Sequence, residues 1–219
     1  MKIVHPELTH DAQFSREEHA IEITDYFLNI HADLVSKLTV QVGFRYGMAT
    51  YATHKLQVTP ARNGATGTVA ILFNSVFLYQ DSNFFYKKCI PHQVAHVIAE
   101  IKALQEGIII EKPHGIEWTH ALISLISTAD VPINPTMEFD SRSIKLVKGG
   151  IPLRCVCGGE DGFNVVVNSD NNQNKIKNGE LTCVKCNSCY ELVDDSMVSE
   201  CVASEIKFIK AARSAAMKK

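Results

Sequence analysis

Ile90-Pro91-His92-Gln93-Val94-Ala95-His96 is the stretch on which the reading of this chain turns. Two histidines stand four residues apart in an apolar, helix-compatible run. On a helix, positions i and i+4 share a face, so both imidazoles can reach one ion. A tetrahedral zinc site that keeps one position open takes three protein ligands. His114 supplies the third: it follows a loop over 106–113, opens the next helical segment and is trailed by Gly115 and Trp118. His120 lies six residues further on and faces another side, and Glu111 and Glu117 rank behind as carboxylate alternatives. His5, His10, His19, His31 and His54 have no partner at metal spacing and read as solvated or satisfied surface histidines.

The pair matches the pattern His-Glu-x-x-His with one change, Gln93 in place of the glutamate. In enzymes with that pattern the glutamate takes a proton from the attacking water and returns it to the leaving amine. An amide has no proton to exchange at neutral pH, so Gln93 can preserve the geometry of such a site without its acid–base chemistry. Two histories fit: a natural non-catalytic chain, or a Glu→Gln substitution in an otherwise intact site.

Working outward, Pro91 to Gln105 reads as a helix and His114 to about Ser127 as another. Before them, Ile21, Ile23, Tyr26, Phe27, Ile30 and Leu34 recur at helical spacing. This predicts a helix from Ser15 to about Lys37, with Ser15 as its N-cap and Glu17 and Glu18 in the first turn. Leu38–Phe44, Ala49–Gln57 and Thr66–Phe73 are rich in Val, Thr, Tyr and Phe and read as strands, the last two separated by a turn at Arg62-Asn63-Gly64. Residues 131–150, with Pro132 and Pro135, read as irregular. The polar run Asn168–Gly179 reads as a hairpin tip or a mobile excursion, and 195–217 as a closing helix.

Seven cysteines are present, and five of them (155, 157, 183, 186 and 189) fall within 35 residues. An odd count without a signal peptide argues against a secreted disulfide framework and for metal ligands in a reducing compartment. Cys155-Val156-Cys157-Gly158 and Cys183-Val184-Lys185-Cys186-Asn187 form two knuckles 25 residues apart, a spacing that brings four thiolates to one zinc. The residue after a knuckle's second cysteine often takes positive φ. Gly158 and Asn187 suit this and Tyr190 does not, which favours Cys183 with Cys186 over Cys186 with Cys189. With no open position this zinc is structural, stapling a core-poor module. Cys89 and Cys201 stand apart and read as buried small hydrophobes.

The chain has 219 residues, 46% of them hydrophobic, enough for a buried core. It contains no run of 18 apolar residues, and its N-terminus lacks the apolar stretch of a secretory signal. No membrane segment and a cytoplasmic location are expected. Net charge is −2 but unevenly spread: residues 1–140 carry −5 and 141–219 carry +3. Arg142, Lys145, Lys148 and Arg154 lead into the cysteine region, Lys175, Lys177 and Lys185 decorate it, and Lys207, Lys210, Arg213, Lys218 and Lys219 follow. These suit nucleic-acid contact modestly, with Phe163 and Tyr190 as sparse aromatics that could stack on single-stranded bases.

Taken in order, Ile71-Leu72-Phe73-Asn74, then Ile90-Pro91-His92-Gln93-Val94-Ala95-His96, then His114-Gly115-Ile116-Glu117-Trp118, then the Cys-x-Cys-Gly and Cys-x-x-Cys knuckles resemble the SprT-like family, which includes the Spartan DNA–protein-crosslink proteases. The resemblance covers roughly residues 15–193. It implies an α+β fold, zincin-like helices around a small antiparallel sheet with a small β zinc ribbon appended. The corresponding divisions are 1–140, 141–195 and a basic tail at 196–219. It also implies His92, His96 and His114 as ligands of a catalytic-type zinc, position 93 as the catalytic base, and Cys155, Cys157, Cys183 and Cys186 around a second, structural zinc. The implied activity is DNA-dependent cleavage of proteins bound or crosslinked to DNA, with Gln93 leaving this form inactive.

Overall fold

Alternation along 65–74 buries Val69, Ile71 and Phe73 completely, which makes β3 (Ala65–Asn74) the middle strand of a three-stranded sheet. The computed structural model describes residues 10–61, 64–126, 139–158, 163–193 and 200–216, with backbone only for 10–14, 200, 201 and 212–216. They fall into two compact units, Thr9–Phe139 and Asp140–Lys219.

In the first unit α1 (His10–Asn29) and α2 (Ala32–Val35) precede β1 (Leu38–Arg45) and β2 (Ala52–Pro60). The helix begins at His10, upstream of the expected cap, so Ser15 sits inside it. β2 runs antiparallel to β3 while β1 runs parallel to it, from Leu38 opposite Gly67 to Arg45 opposite Asn74. The small sheet is therefore mixed, not antiparallel as expected.

The reason lies at the end of β3. Residues 46–51 cross over that end, where the buried Asn74 donates its side-chain amide to the carbonyls of Met48 and Thr50, each at 3.1 Å. β2 thus returns along the far edge of β3 instead of pairing with β1. Gly67 lies opposite Val58 in this pairing with φ 134°; a Cβ there would run into the carbonyl oxygen of Gln57. The turn residues Arg62 and Asn63 lie outside the described residues.

Asn74 also caps the next helix: its Oδ1 accepts from the backbone amides of Val76 and Phe77 and starts α3 (Ser75–Gln80). A turn of helix, α4 (Ser82–Phe84), and a wider π-helical turn (Phe85–Cys89) run straight into α5 (Ile90–Glu106). Pro91 in the first turn of α5 and Gly107 at its left-handed C-cap, φ 68°, fix both ends of this helix. Ile90, Val94, Ile98 and Ile101 of α5 are fully buried beside Phe73, Leu78 and Phe85. Each such side chain contributes about 1.5–3 kcal/mol. α5 packs against α1, β2 and α6 (Ile116–Leu125). The central helix is held from all sides.

The second unit comprises α7 (Arg142–Val147), β4 (Ile151–Arg154), β5 (Phe163–Val166), α8 (Asp170–Lys177), β6 (Glu191–Leu192) and α9 (Glu200–Ala216). Its strands form an antiparallel sheet in the order β5-β4-β6. One cluster of its core is Phe163, Val165, Val193 and Val202, with Leu146 and Ile206 packed against them, and Ile144, Leu153 and Ile209 are buried as well. The polar run expected as a hairpin tip or excursion instead folds as α8. Ser169 caps it by accepting from the amide of Asn172, Asp170 opens it, and Lys175 and Lys177 close it, so end chemistry carries a helix with no buried residue. Part of the stretch expected to be irregular is α7; Pro132 and Pro135 lie outside the described residues, as do Lys218, Lys219 and the side chains of His5, His10, Cys201 and Arg213. Cys89 is buried, as its isolation in the sequence suggested. Among the described residues no helix is long and apolar enough to cross a membrane.

Candidate metal centre

One turn of α5 separates His92 from His96, and the loop after Gly107 returns His114 to the same point. The three Nε2 atoms stand 3.1–3.2 Å apart. Trp118, from the first turns of α6, is buried behind them. Its ring centroid lies 4.7 Å from those of His92 and His114 and 5.6 Å from that of His96. Its indole N–H donates to the carbonyl of His92 at 3.2 Å, tying α6 to α5 at the site. Tyr51 meets His92 edge-on from the other side, with centroids 5.6 Å apart.

Burial, reinforced by the neighbouring imidazoles, pushes His92 down to about 3 and His96 down to about 4. Both are neutral at physiological pH, as metal ligation requires. Three Nε2 atoms that turn their lone pairs to one point repel unless a cation lies among them. Nitrogens bound to one tetrahedral zinc at about 2.0–2.1 Å sit roughly 3.3 Å apart, close to the spacing found. The residues present fit zinc. His92 Nδ1 is buried and has no hydrogen-bond partner among the described residues, so the ring is set by packing against Trp118 and Tyr51.

These low values set a sign for stability. A histidine neutral when folded but protonated when unfolded makes the unfolded state bind more protons, so stability falls as pH drops below about 6.5. Metal-free protein should therefore lose thermal stability between pH 7 and pH 5, above the range where carboxylates titrate. A melting temperature flat across that interval would contradict the buried neutral cluster.

Gln93 is buried beside the ligands, and its Nε2 contacts Nδ1 of His54. Nε2 of His54 lies 2.8 Å from Oε1 of Glu100, two turns further along α5. The His54 ring also lies nearly parallel to that of His96, with centroids 5.9 Å apart. His54 is thus satisfied, as one of the two readings of an isolated histidine had it, but it lies largely buried beside the site and not on the open surface. The signal that could have found it is the alternation of β2, which puts His54 in step with Ala52, Leu56 and Val58 on the face turned toward α5. His31 likewise has a partner, Ser124 Oγ at 2.7 Å. His120 and Glu111 are exposed and take no part in the three-histidine group.

In the second unit Cys155 and Cys157 follow β4 directly, while Cys183 and Cys186 sit on a turn closed by the Thr182–Cys189 bridge. Sulfur separations are 3.3 Å for Cys155–Cys157, 3.1 Å for Cys155–Cys186 and 3.6 Å for Cys157–Cys183. Asn187 takes the left-handed conformation, φ 59°, that this tight turn needs. The backbone amides of Lys185 and Cys186 lower the Cys183 thiol to about 6, favouring the thiolate that zinc binds. Cys189 lies outside the group and donates to the carbonyl of Gly179 at 3.1 Å. Phe163, expected as a stacking aromatic, is buried in the core under the Arg142 guanidinium, 4.5 Å from its ring centroid. Arg142 itself is held by Asp140 at 2.7 Å.

Comparison with known proteins finds Protein SprT of Shewanella oneidensis, 30% identical over 86 residues, 39% of this chain and 49% of that protein. The match therefore spans about half the length of that relative. Protein SprT of Escherichia coli is 29% identical over 160 residues, 70% of this chain and 86% of that protein. Protein SprT of Escherichia fergusonii is 28% identical over 143 residues, 62% of this chain and 76% of that protein. No family model and no solved structure matches. The chain is thus similar to these bacterial SprT proteins over much of its length.

Proposed function

We propose that the chain is a zincin-like metallopeptidase scaffold directed at DNA-bound or crosslinked proteins and silenced at position 93. The observation that carries this reading is the convergence of His92, His96 and His114 on one point, with Gln93 on the same helix beside it. Bound there, zinc supplies Lewis acidity and an acidified water. The protein's own part is to hold three imidazoles in place, to exclude solvent with Trp118 and Tyr51, and to present the side chain at 93. A glutamate there could take and return a proton; Gln93 can only accept or donate a hydrogen bond.

A groove lined by Leu56, Val58, Ala103, Leu104, Ile108 and Ile110 runs between β2 and α5 from Glu100 onward. β2 is an edge of its sheet, where an extended chain can add main-chain hydrogen bonds. The four-cysteine group, with zinc, serves as the staple of the second unit, not as a reaction centre.

DNA contact falls to the second unit in this reading. Lys145 and Lys148, Lys175 and Lys177, Lys185, and Lys207 and Lys210 are all at least partly exposed. Phosphate neutralisation by lysines gives affinity that falls steeply with salt. Binding of the full chain should weaken by on the order of a hundredfold or more between 50 and 200 mM salt, and residues 1–139 alone should not bind. Salt-independent binding, or full binding by 1–139, would count against this assignment. The test of the whole reading is cleavage of a DNA-bound protein by the Gln93→Glu chain, with and without DNA and with and without chelator. A natural, non-catalytic zinc protein that binds DNA or a protein partner is the second reading, favoured by the amide of Gln93 having a partner suited to an amide, His54.

A further inference from the structure

The side chain at 93 is not free to turn. Nε2 of His54 lies 2.8 Å from Oε1 of Glu100. The amide nitrogen of Gln93 meets Nδ1 of His54; it has hydrogens to donate and no lone pair to accept with, so Nδ1 is the acceptor. The hydrogen of the ring then sits on Nε2, which faces Glu100. The carbonyl Oε1 is left as the open end of the amide. The two holding residues come from different elements, His54 from β2 and Glu100 from α5, and the His54 side chain is 16% exposed.

We propose that His54, steadied by Glu100, is a positioning residue for the three-histidine site: it locks the amide at 93 so that an oxygen, not an NH2, is what this position offers to a bound group. The inference rests on the metallopeptidase reading, in which position 93 stands beside the reacting groups. Its consequence is a site that keeps a fixed acceptor for a water or a substrate N–H while having nothing that can take the proton. Such a site binds substrate without turning it over. A glutamate at 93 could use the same ring only if Nδ1 also carried a hydrogen, so the lock is read out in the Gln93 chain.

The experiment is nitrogen-15 NMR of the zinc-loaded full chain. His54 is expected as the Nε2–H tautomer, with one Gln93 side-chain N–H shifted downfield and slow to exchange. In His54→Ala that signal should move to the position of a free glutamine amide, with exchange faster by on the order of tenfold, the worth of one net hydrogen bond. Glu100→Ala, a change at a partly exposed helix position, should divide His54 between its two tautomers and broaden the Gln93 signals. It carries the test if His54→Ala does not fold. An Nδ1–H tautomer of His54, or a Gln93 amide unmoved by both substitutions, would overturn the proposal. Because the readout is taken on the inert chain, it decides the lock independently of whether Gln93→Glu cleaves any substrate.

Discussion

Replacing Gln93 with glutamate should raise peptide-bond cleavage by the zinc-loaded chain by on the order of a hundredfold to ten-thousandfold, the usual worth of a positioned general base. The substitution is nearly isosteric and the position is buried, so zinc content and fold should not change, and new activity can be attributed to the carboxylate. Burial disfavours the charged form of a carboxyl group and so moves it toward the working pH, where a base that must also return its proton is most effective. The Glu form should cleave itself or a DNA-bound protein, faster with DNA present, and chelator should silence it. The Gln form should remain at background while retaining zinc. Side-by-side incubations of both forms with single- and double-stranded DNA, read by gel, make the comparison. A Glu form as inert as the Gln form would favour the non-catalytic reading, and a cleaving Gln form would place the base elsewhere.

Cys155→Ser should unfold the second unit while leaving the first intact. The buried apolar residues described there, Ile144, Leu153, Phe163, Val165, Val193, Val202 and Ile209, make a small core for a unit of three short strands, one that a bound metal would staple. Structural zinc in small modules contributes about 10–16 kcal/mol of apparent binding free energy that is also folding free energy. Removing one of four thiolates removes most of that support. Limited proteolysis should then cut within 151–193 while a fragment containing 10–126 persists. Cys183→Ser should do the same and Cys189→Ser should be tolerated, since Cys189 lies outside the sulfur group. The reverse order of damage would mean that the ligand set is wrong.

Local chemistry made α5 legible: Pro91 and the i, i+4 histidines are read within one helix. His114 and the cysteine knuckles were legible for a related reason, because metal sites restrict residue type and spacing more tightly than packing does. The parallel pairing of β1 with β3 was not legible. It depends on residues 46–51 crossing the end of β3 and on Asn74 gripping that crossing, contacts 24–26 residues apart in sequence. His54 was hidden in the same way, since its partners Gln93 and Glu100 are 39 and 46 residues away. α8 was missed because it has no apolar stripe; its evidence lay in the Ser169 cap and the charges at its ends. Phe163 looked available for stacking because sequence does not reveal that it fills the core beneath Arg142.

The most direct test of the account is the zinc content of the purified chain and of two variants. Protein isolated without added metal should carry about two zinc ions, one for the histidine group and one for the cysteine group. His92→Ala should lose one of them while the second unit stays folded, and Cys155→Ser should lose the other while the histidine site stays loaded. A content near one that His92→Ala leaves unchanged would mean that the three histidines do not hold a metal, and the peptidase reading would fall with them.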